Sequence, residues 1–134
     1  MTSINYFAIL LRQKANLRSL TEADRITGAV PLALAGVMGE GQLKQILSML
    51  PAAATTKSDQ KFYHRLDRRR APVIEFSLPI LLTRLQTILN LTGSDEAEQY
   101  LRAYFGSARA LMHESDTRRL LNLLPPQLAI LIND

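Results

Sequence analysis

The sequence predicts an all-α protein of about six helices, in which two similar three-helix units pack as one helical bundle. The first observation is an internal repeat: residues 3–51 align without a gap with residues 77–125, and twelve of the forty-nine aligned pairs are identical. The second is that apolar residues recur three and four positions apart in both copies, which is the spacing of a helix face. The sequence has no long run in which polar and apolar residues alternate, which is the pattern of a strand, so helices are favoured over strands.

The repeat divides the chain into three parts within one domain of residues 1–134. Residues 3–56 form the first three-helix unit, residues 57–75 a basic connector, and residues 76–134 the second three-helix unit. With 134 residues and 47% hydrophobic content, the chain can bury one sizeable core, so the two units are expected to share it.

The first helix of each unit is predicted by an apolar stripe that follows a serine. Ser3 and Ser77 can each accept a hydrogen bond from the free amides of a first turn, and Pro79 suits the start of a helix. Both helices should run about four turns and end near Asn16 and Asn90. The predicted buried stripes are Ile4, Phe7, Ala8, Leu11 and Ala15 in the first unit, and Leu78, Leu81, Leu82, Leu85 and Leu89 in the second.

The middle helix of each unit is predicted by a capping-box-like spacing that starts at Thr21 or at Asp95. These openings also place acids at the positive end of the helix dipole. In the first unit Pro31 removes an intrahelical hydrogen bond, so a kink or a break is predicted there. The middle helix of the second unit has Phe105 at the equivalent position and is expected to be straighter.

The third helix of each unit is predicted to begin after Gly41 or Ser115 and to end at a Leu-Pro step. A residue that precedes proline resists the helical conformation, so the chain should turn before Pro51 and Pro125. Residues 127–132 are predicted to form a short terminal helix, whereas residues 52–56 are less apolar and are expected to be looser.

The connector carries all of the chain's excess charge. The net charge of the protein is +4, and residues 57–70 contain six cations and two acids, which differ by the same four charges. These six cations are the predicted partner-binding residues: Lys57, Lys61, Arg65, Arg68, Arg69 and Arg70.

Two interpretations of the connector remain open. Arginine can bind phosphate, and Phe62 or Tyr63 could stack on a base or dock on a protein, so nucleic acid or an acidic protein is a possible partner. Alternatively, Phe62, Tyr63 and Leu66 pack the connector against the core and leave the arginines in water. Nucleic-acid binding through this segment alone would be weak and strongly dependent on salt.

Candidate catalytic or metal-binding residues are few. His64 and His113 have no evident partner in the sequence, and a general acid or base needs one. Glu40 and Glu114 are equivalent in the repeat and could together bind a metal, although such acids more often lie in polar turns. The prediction is therefore a protein that is not an enzyme, with no catalytic residue, no metal and no cofactor.

The remaining composition favours a cytoplasmic protein. There are no cysteines, so neither a disulfide framework nor a thiolate metal site is expected. The apolar run from Tyr6 to Leu11 is too short for a membrane span and lacks the flanks of a secretion signal.

Aliphatic side chains beyond the helix stripes predict a groove between the units. Leu10, Leu32 and Leu123 exceed what one stripe per helix requires. A second copy of the chain, a partner helix or an apolar ligand could cover them, or they could complete the core. A protein partner or a homo-oligomer is therefore expected.

Three segments resemble the domain-of-unknown-function 2267 family of small bacterial proteins, whose members look like two successive three-helix units. The segments are residues 76–85, 94–103 and 120–128, which resemble that family's amphipathic helix, acidic-capped helix and terminal Leu-Pro helix. The resemblance implies the fold and supplies no catalytic residues. The predicted function is a non-catalytic protein-interaction or regulatory module, and the alternative is weak nucleic-acid binding through residues 57–70.

Overall fold

The computed structural model describes residues 5–55 and 76–133, and within them it contains helices and no strand. This confirms the all-α prediction. Where about six helices were expected, the described residues form eight, because the chain resumes a helix after each Leu-Pro step. The helices are α1 (Tyr6–Lys14), α2 (Leu20–Ala35), α3 (Glu40–Met49), α4 (Ala52–Thr55), α5 (Leu78–Leu89), α6 (Ser94–Ala110), α7 (Glu114–Leu123) and α8 (Pro126–Asn133).

Several helices begin at residues other than the predicted ones. Helix α1 is capped by Asn5, whose side-chain oxygen accepts from the Ala8 amide at 3.0 Å, so the prediction of Ser3 was wrong. Ser19 caps α2, and its side-chain oxygen accepts from the Glu22 amide at 3.3 Å. The predicted start at Thr21 was therefore too late, since Ser19 and Glu22 already have the capping-box spacing. Helix α6 likewise follows Gly93 rather than Asp95, and α3 and α7 begin at Glu40 and Glu114, ahead of Gly41 and Ser115.

Helix α2 continues through its proline. The prediction was a kink or a break at Pro31, and the break is wrong, because the helix spans Leu20–Ala35 with Pro31 buried inside it. Packing outweighs the lost hydrogen bond here, because α2 lies against α1, α5 and α6. Arg84 of α5 also binds the last turn of α2: its Nε donates to the Ala33 carbonyl at 3.1 Å and its Nη2 to the Leu32 carbonyl at 3.3 Å.

The turns after α1 and α5 confirm the predicted helix ends. Asn16 and Asn90 adopt the left-handed conformation with φ of 56° and 55°, which asparagine tolerates better than most residues. At the other predicted ends, Leu50 and Leu124 are extended with ψ of 154° and 148° before their prolines. Ser77 is the cap of α5, as predicted, and accepts from the Ile80 amide at 3.4 Å.

Helices α2 and α6 form the centre of the bundle and contact each other. Helix α1 packs on both of them, and so does α5, while α3 packs on α7, and α8 packs on α6 and α7. The predicted stripes supply the core: the described residues of the first stripe are buried, and in the second Leu81, Leu85 and Leu89 are buried.

Tyr104 of α6 lies at the middle of this core and is fully buried. Its ring makes edge-to-face contacts with Phe7 and Phe105, at centroid distances of 5.4 and 5.2 Å. Its hydroxyl donates to the Ala54 carbonyl of α4 at 2.8 Å, so one side chain joins helices from both predicted units.

The predicted connector, residues 57–75, lies outside the described residues. None of the helices in the described part of the chain is long and apolar enough to cross a bilayer.

Candidate functional site

A groove of about 750 Å³ runs along the outer side of α6. The end of α1 and the end of α8, both of which pack on α6, contribute one residue each, Lys14 and Ile132. The turn after α6 and the start of α7 complete the lining. The lining residues are Lys14, Gln99, Arg102, Ala103, Gly106, Arg109, Ala110, Met112, Glu114, Thr117 and Ile132.

Lys14 reaches the groove because α1 ends beside the middle of α6. The Cδ of Lys14 lies 3.6 Å from the position that a Cβ on residue 106 would occupy, so the lysine stem lies over the backbone of Gly106. Gly106 thus leaves room for the Lys14 stem, which a larger side chain at residue 106 would displace. The lysine stem can cover apolar surface while its ammonium stays in water.

Arg109 is held in place by the end of α8. Its Nη1 donates to the Ile132 carbonyl at 3.2 Å, and the side chain is half-buried. A cation beside the last carbonyls of a helix interacts favourably with the helix dipole, so this contact fixes α8 against α6. A guanidinium has five N–H donors, which leaves capacity for a further acceptor in the groove.

Arg102 forms an ion pair along the same helix. Its Nη2 lies 3.0 Å from Oε1 of Glu98, and the two side chains are 46% and 37% exposed. Such i, i+4 pairs on a wet helix surface contribute only about 0.3–0.5 kcal/mol. Arg102 can therefore exchange this carboxylate for one on a ligand at little cost.

The acid that lines the groove is already paired. Glu114, at the start of α7, lies 2.9 Å from Nη2 of Arg118, and both side chains are largely exposed. Its neighbour His113, one of the two histidines considered as catalytic candidates, is exposed at the cap of α7. Among the described residues, the lining thus carries three cations and one acid, and that acid has its own counter-ion.

A second, smaller pocket of about 160 Å³ lies where the turns after α1 and α5 meet the starts of α2 and α6. Burial raises the pKa of the Tyr100 hydroxyl, with smaller contributions from the nearby Glu96 and Glu22 carboxylates, so the phenol stays protonated over the physiological range. Most of the side chains that line this pocket are aliphatic. The lining is Leu17, Glu22, Arg25, Ile26, Leu89, Leu91 and Tyr100.

The described residues do not include the predicted partner-binding site. Lys57, Lys61, Arg65, Arg68, Arg69, Arg70 and His64 lie outside the described residues. The predicted groove leucines, Leu10, Leu32 and Leu123, are half-buried on three different helices, and Leu32 and Leu123 pack against the core. Among the described residues no group of three or more potential ligands could hold a metal ion.

Comparisons of the chain with protein-family models, with curated proteins and with solved structures found no match. The resemblance to the domain-of-unknown-function 2267 family therefore stays a prediction.

Proposed function

We propose that this chain is a non-catalytic protein-interaction or regulatory module, and that the groove along α6 is its binding surface. The observation that carries this proposal is the lining of the groove, which combines an apolar floor with three cations. Arginine and methionine are enriched in protein interfaces, and this groove is lined by Arg102, Arg109 and Met112.

We further propose that the fold consists of the two related units that the sequence predicts. Helices α2 and α6 begin at residues 20 and 94, and α3 and α7 begin at 40 and 114, so both pairs are 74 residues apart. The two left-handed asparagines have the same offset. Many aligned pairs are buried together, among them Leu11 with Leu85, Ala23 with Ala97, Ile46 with Leu120 and Leu50 with Leu124.

The charged residues that line the groove have no counterparts at the aligned positions of the other unit, which supports a role for them other than packing the core. Where the second unit has Arg102, Gly106 and Arg109, the aligned positions hold Gly28, Leu32 and Ala35. Lys14 aligns with Ile88 in the same way. The shared interior requires none of these cations, so their presence on one side points to a partner that binds there.

Selection of helical peptides from a display library would test the groove as a binding surface. Peptides selected on the full-length protein are expected to bind Gly106→Trp at least about tenfold more weakly, because the indole would occupy the space over α6. The control is Gly41→Trp, since Gly41 is an exposed helical glycine, has no atom near its missing Cβ and is not among the described residues that line the groove.

The two variants must first be shown to fold, by circular dichroism and thermal unfolding. Peptides that bind both tryptophan variants as well as the unsubstituted protein would show that the groove is not the binding surface. If the selection yielded no groove-dependent peptide, that is, none that Gly106→Trp weakens, the proposed function would be contradicted.

Nucleic-acid binding through residues 57–70 stays a prediction. The groove favours a protein partner, because none of the described residues that line it is aromatic and these residues offer bases no platform for stacking.

A further inference from the structure

We infer that the groove binds an amphipathic α-helix of a partner protein, and that acidic residues follow one edge of that helix. This inference rests on the proposed function and names the class of partner. It is carried by three properties of the groove: its length, its charge and the arrangement of that charge.

The length of the groove suits a helix. Its lining on α6 extends from Gln99 to Ala110, which are eleven residue steps apart and span about 16 Å at the rise of an α-helix. This is about three turns, the length over which helix-in-groove ligands place their anchors. The described residues form no strand, so this part of the chain offers no sheet edge for an extended peptide.

The floor and the edges of the groove differ chemically. Ala103, Gly106 and Ala110 are three and four residues apart on one face of α6, so they form an apolar floor, and the stem of Lys14 lies over part of it. Met112 and Ile132 extend the apolar surface. A ligand must therefore offer apolar side chains toward α6, which a free anion or a phosphate chain does not.

The cations define where the acids of the ligand would lie. Arg102 and Arg109 are seven residues apart, so they lie on the same side of α6 and about 10 Å from each other along its axis. Lys14 reaches the middle of the groove from α1. A ligand helix with two carboxylates seven residues apart and a third between them would match this arrangement.

Charge also argues against a second copy of this chain as the occupant. The described lining carries three cations and one acid, so the groove of a second copy does not offer it the opposite charge. An acidic partner is attracted instead, and that attraction speeds the encounter as well as stabilising the complex.

The test uses the best peptide from the groove-dependent selection on the full-length protein. Fluorescence anisotropy would measure its affinity, together with that of a version in which every Glu and Asp is replaced by Gln or Asn. We expect selected peptides to be acidic along one edge, and the neutral version to bind about tenfold or more weakly at low salt. Raising the salt concentration should narrow this difference, because exposed charges are screened.

A charge-reversed protein makes the test reciprocal. In the double variant Lys14→Glu with Arg102→Glu both altered side chains are exposed, so the fold should be retained, and Arg109 is left unchanged to keep its contact with Ile132. This variant is expected to lose the acidic peptide and to prefer a version that carries Lys at the same positions.

The outcomes separate the two proposals. Groove-dependent peptides that are neutral or basic, or that bind equally well after neutralisation, would overturn the acidic helix and leave the interaction module in place. A labelled oligonucleotide that displaces the peptide, or a dimer that the Gly106→Trp variant abolishes, would overturn the inference in favour of another occupant. The absence of any groove-dependent peptide would overturn both proposals.

Discussion

Tyr104→Ala is expected to lower the free energy of unfolding by about 3–5 kcal/mol, which is typical for removal of a buried aromatic ring. Tyr104 is fully buried, and its removal takes away the edge-to-face contacts with Phe7 and Phe105. It also leaves the buried Ala54 carbonyl without the 2.8 Å hydrogen bond from the Tyr104 hydroxyl. In urea unfolding the midpoint should fall by roughly 2 M, given a slope of about 2 kcal/mol per molar urea.

Two further variants separate the ring of Tyr104 from its hydroxyl. Tyr104→Phe keeps the ring and should cost about 1–2 kcal/mol, since it removes the hydrogen bond to a buried acceptor. Tyr6→Ala is the control for loss of a tyrosine, because Tyr6 is 60% exposed and its removal should change stability by less than about 0.5 kcal/mol. If Tyr104→Ala were no more destabilising than Tyr6→Ala, the described core would be wrong.

Leu11→Ala and Leu85→Ala are expected to destabilise the protein by similar amounts, each about 2–5 kcal/mol. Both leucines are fully buried, on α1 and α5. These helices each pack on α2 and α6, so either truncation leaves a cavity in the shared core. Because the core is shared, each variant should still unfold in one transition with an unchanged urea slope.

Leu111→Ala is the control for these truncations. Leu111 is 43% exposed at the end of α6, so the same change in side chain should cost under about 1 kcal/mol. A Leu85→Ala variant that unfolded in two steps, with residues 5–55 retaining their stability, would contradict a shared core.

The helices could be predicted from the sequence because their signals are local. Each apolar stripe repeats with the period of the helix that contains it, and Leu11, Leu81 and Leu85 are buried as the stripes predict. The two asparagines and the Leu-Pro steps end their helices for backbone reasons that do not depend on the rest of the fold. Such elements are visible before any packing is known.

That α2 continues through Pro31 could not be predicted from the sequence, because it depends on the helices that pack against α2. An isolated helix would be expected to break there, but α1, α5 and α6 surround α2, and Arg84 binds its last turn. These partners are distant in the sequence. Tertiary packing therefore outweighed the local preference of the chain.

The groove was missed for a related reason. Arg102 and Arg109 are visible in the sequence as two cations seven residues apart on the polar side of α6, which by itself is typical of a solvated helix face. Lys14 comes from α1, Thr117 from α7 and Ile132 from α8, so the groove exists only after these helices have packed on α6. The sequence instead drew attention to the connector, where the charges are adjacent.

Native-state hydrogen exchange of the full chain tests most directly whether residues 5–55 and residues 76–133 share one core. Because α1 packs on α6 and α5 packs on α2, neither of these parts can keep its buried surface when the other unfolds. The slowest amides of α2 and α6 should therefore exchange with the same free energy of opening, equal to the global free energy of unfolding. If the amides of α2 opened at a lower free energy while those of α6 stayed protected, the shared core would be contradicted.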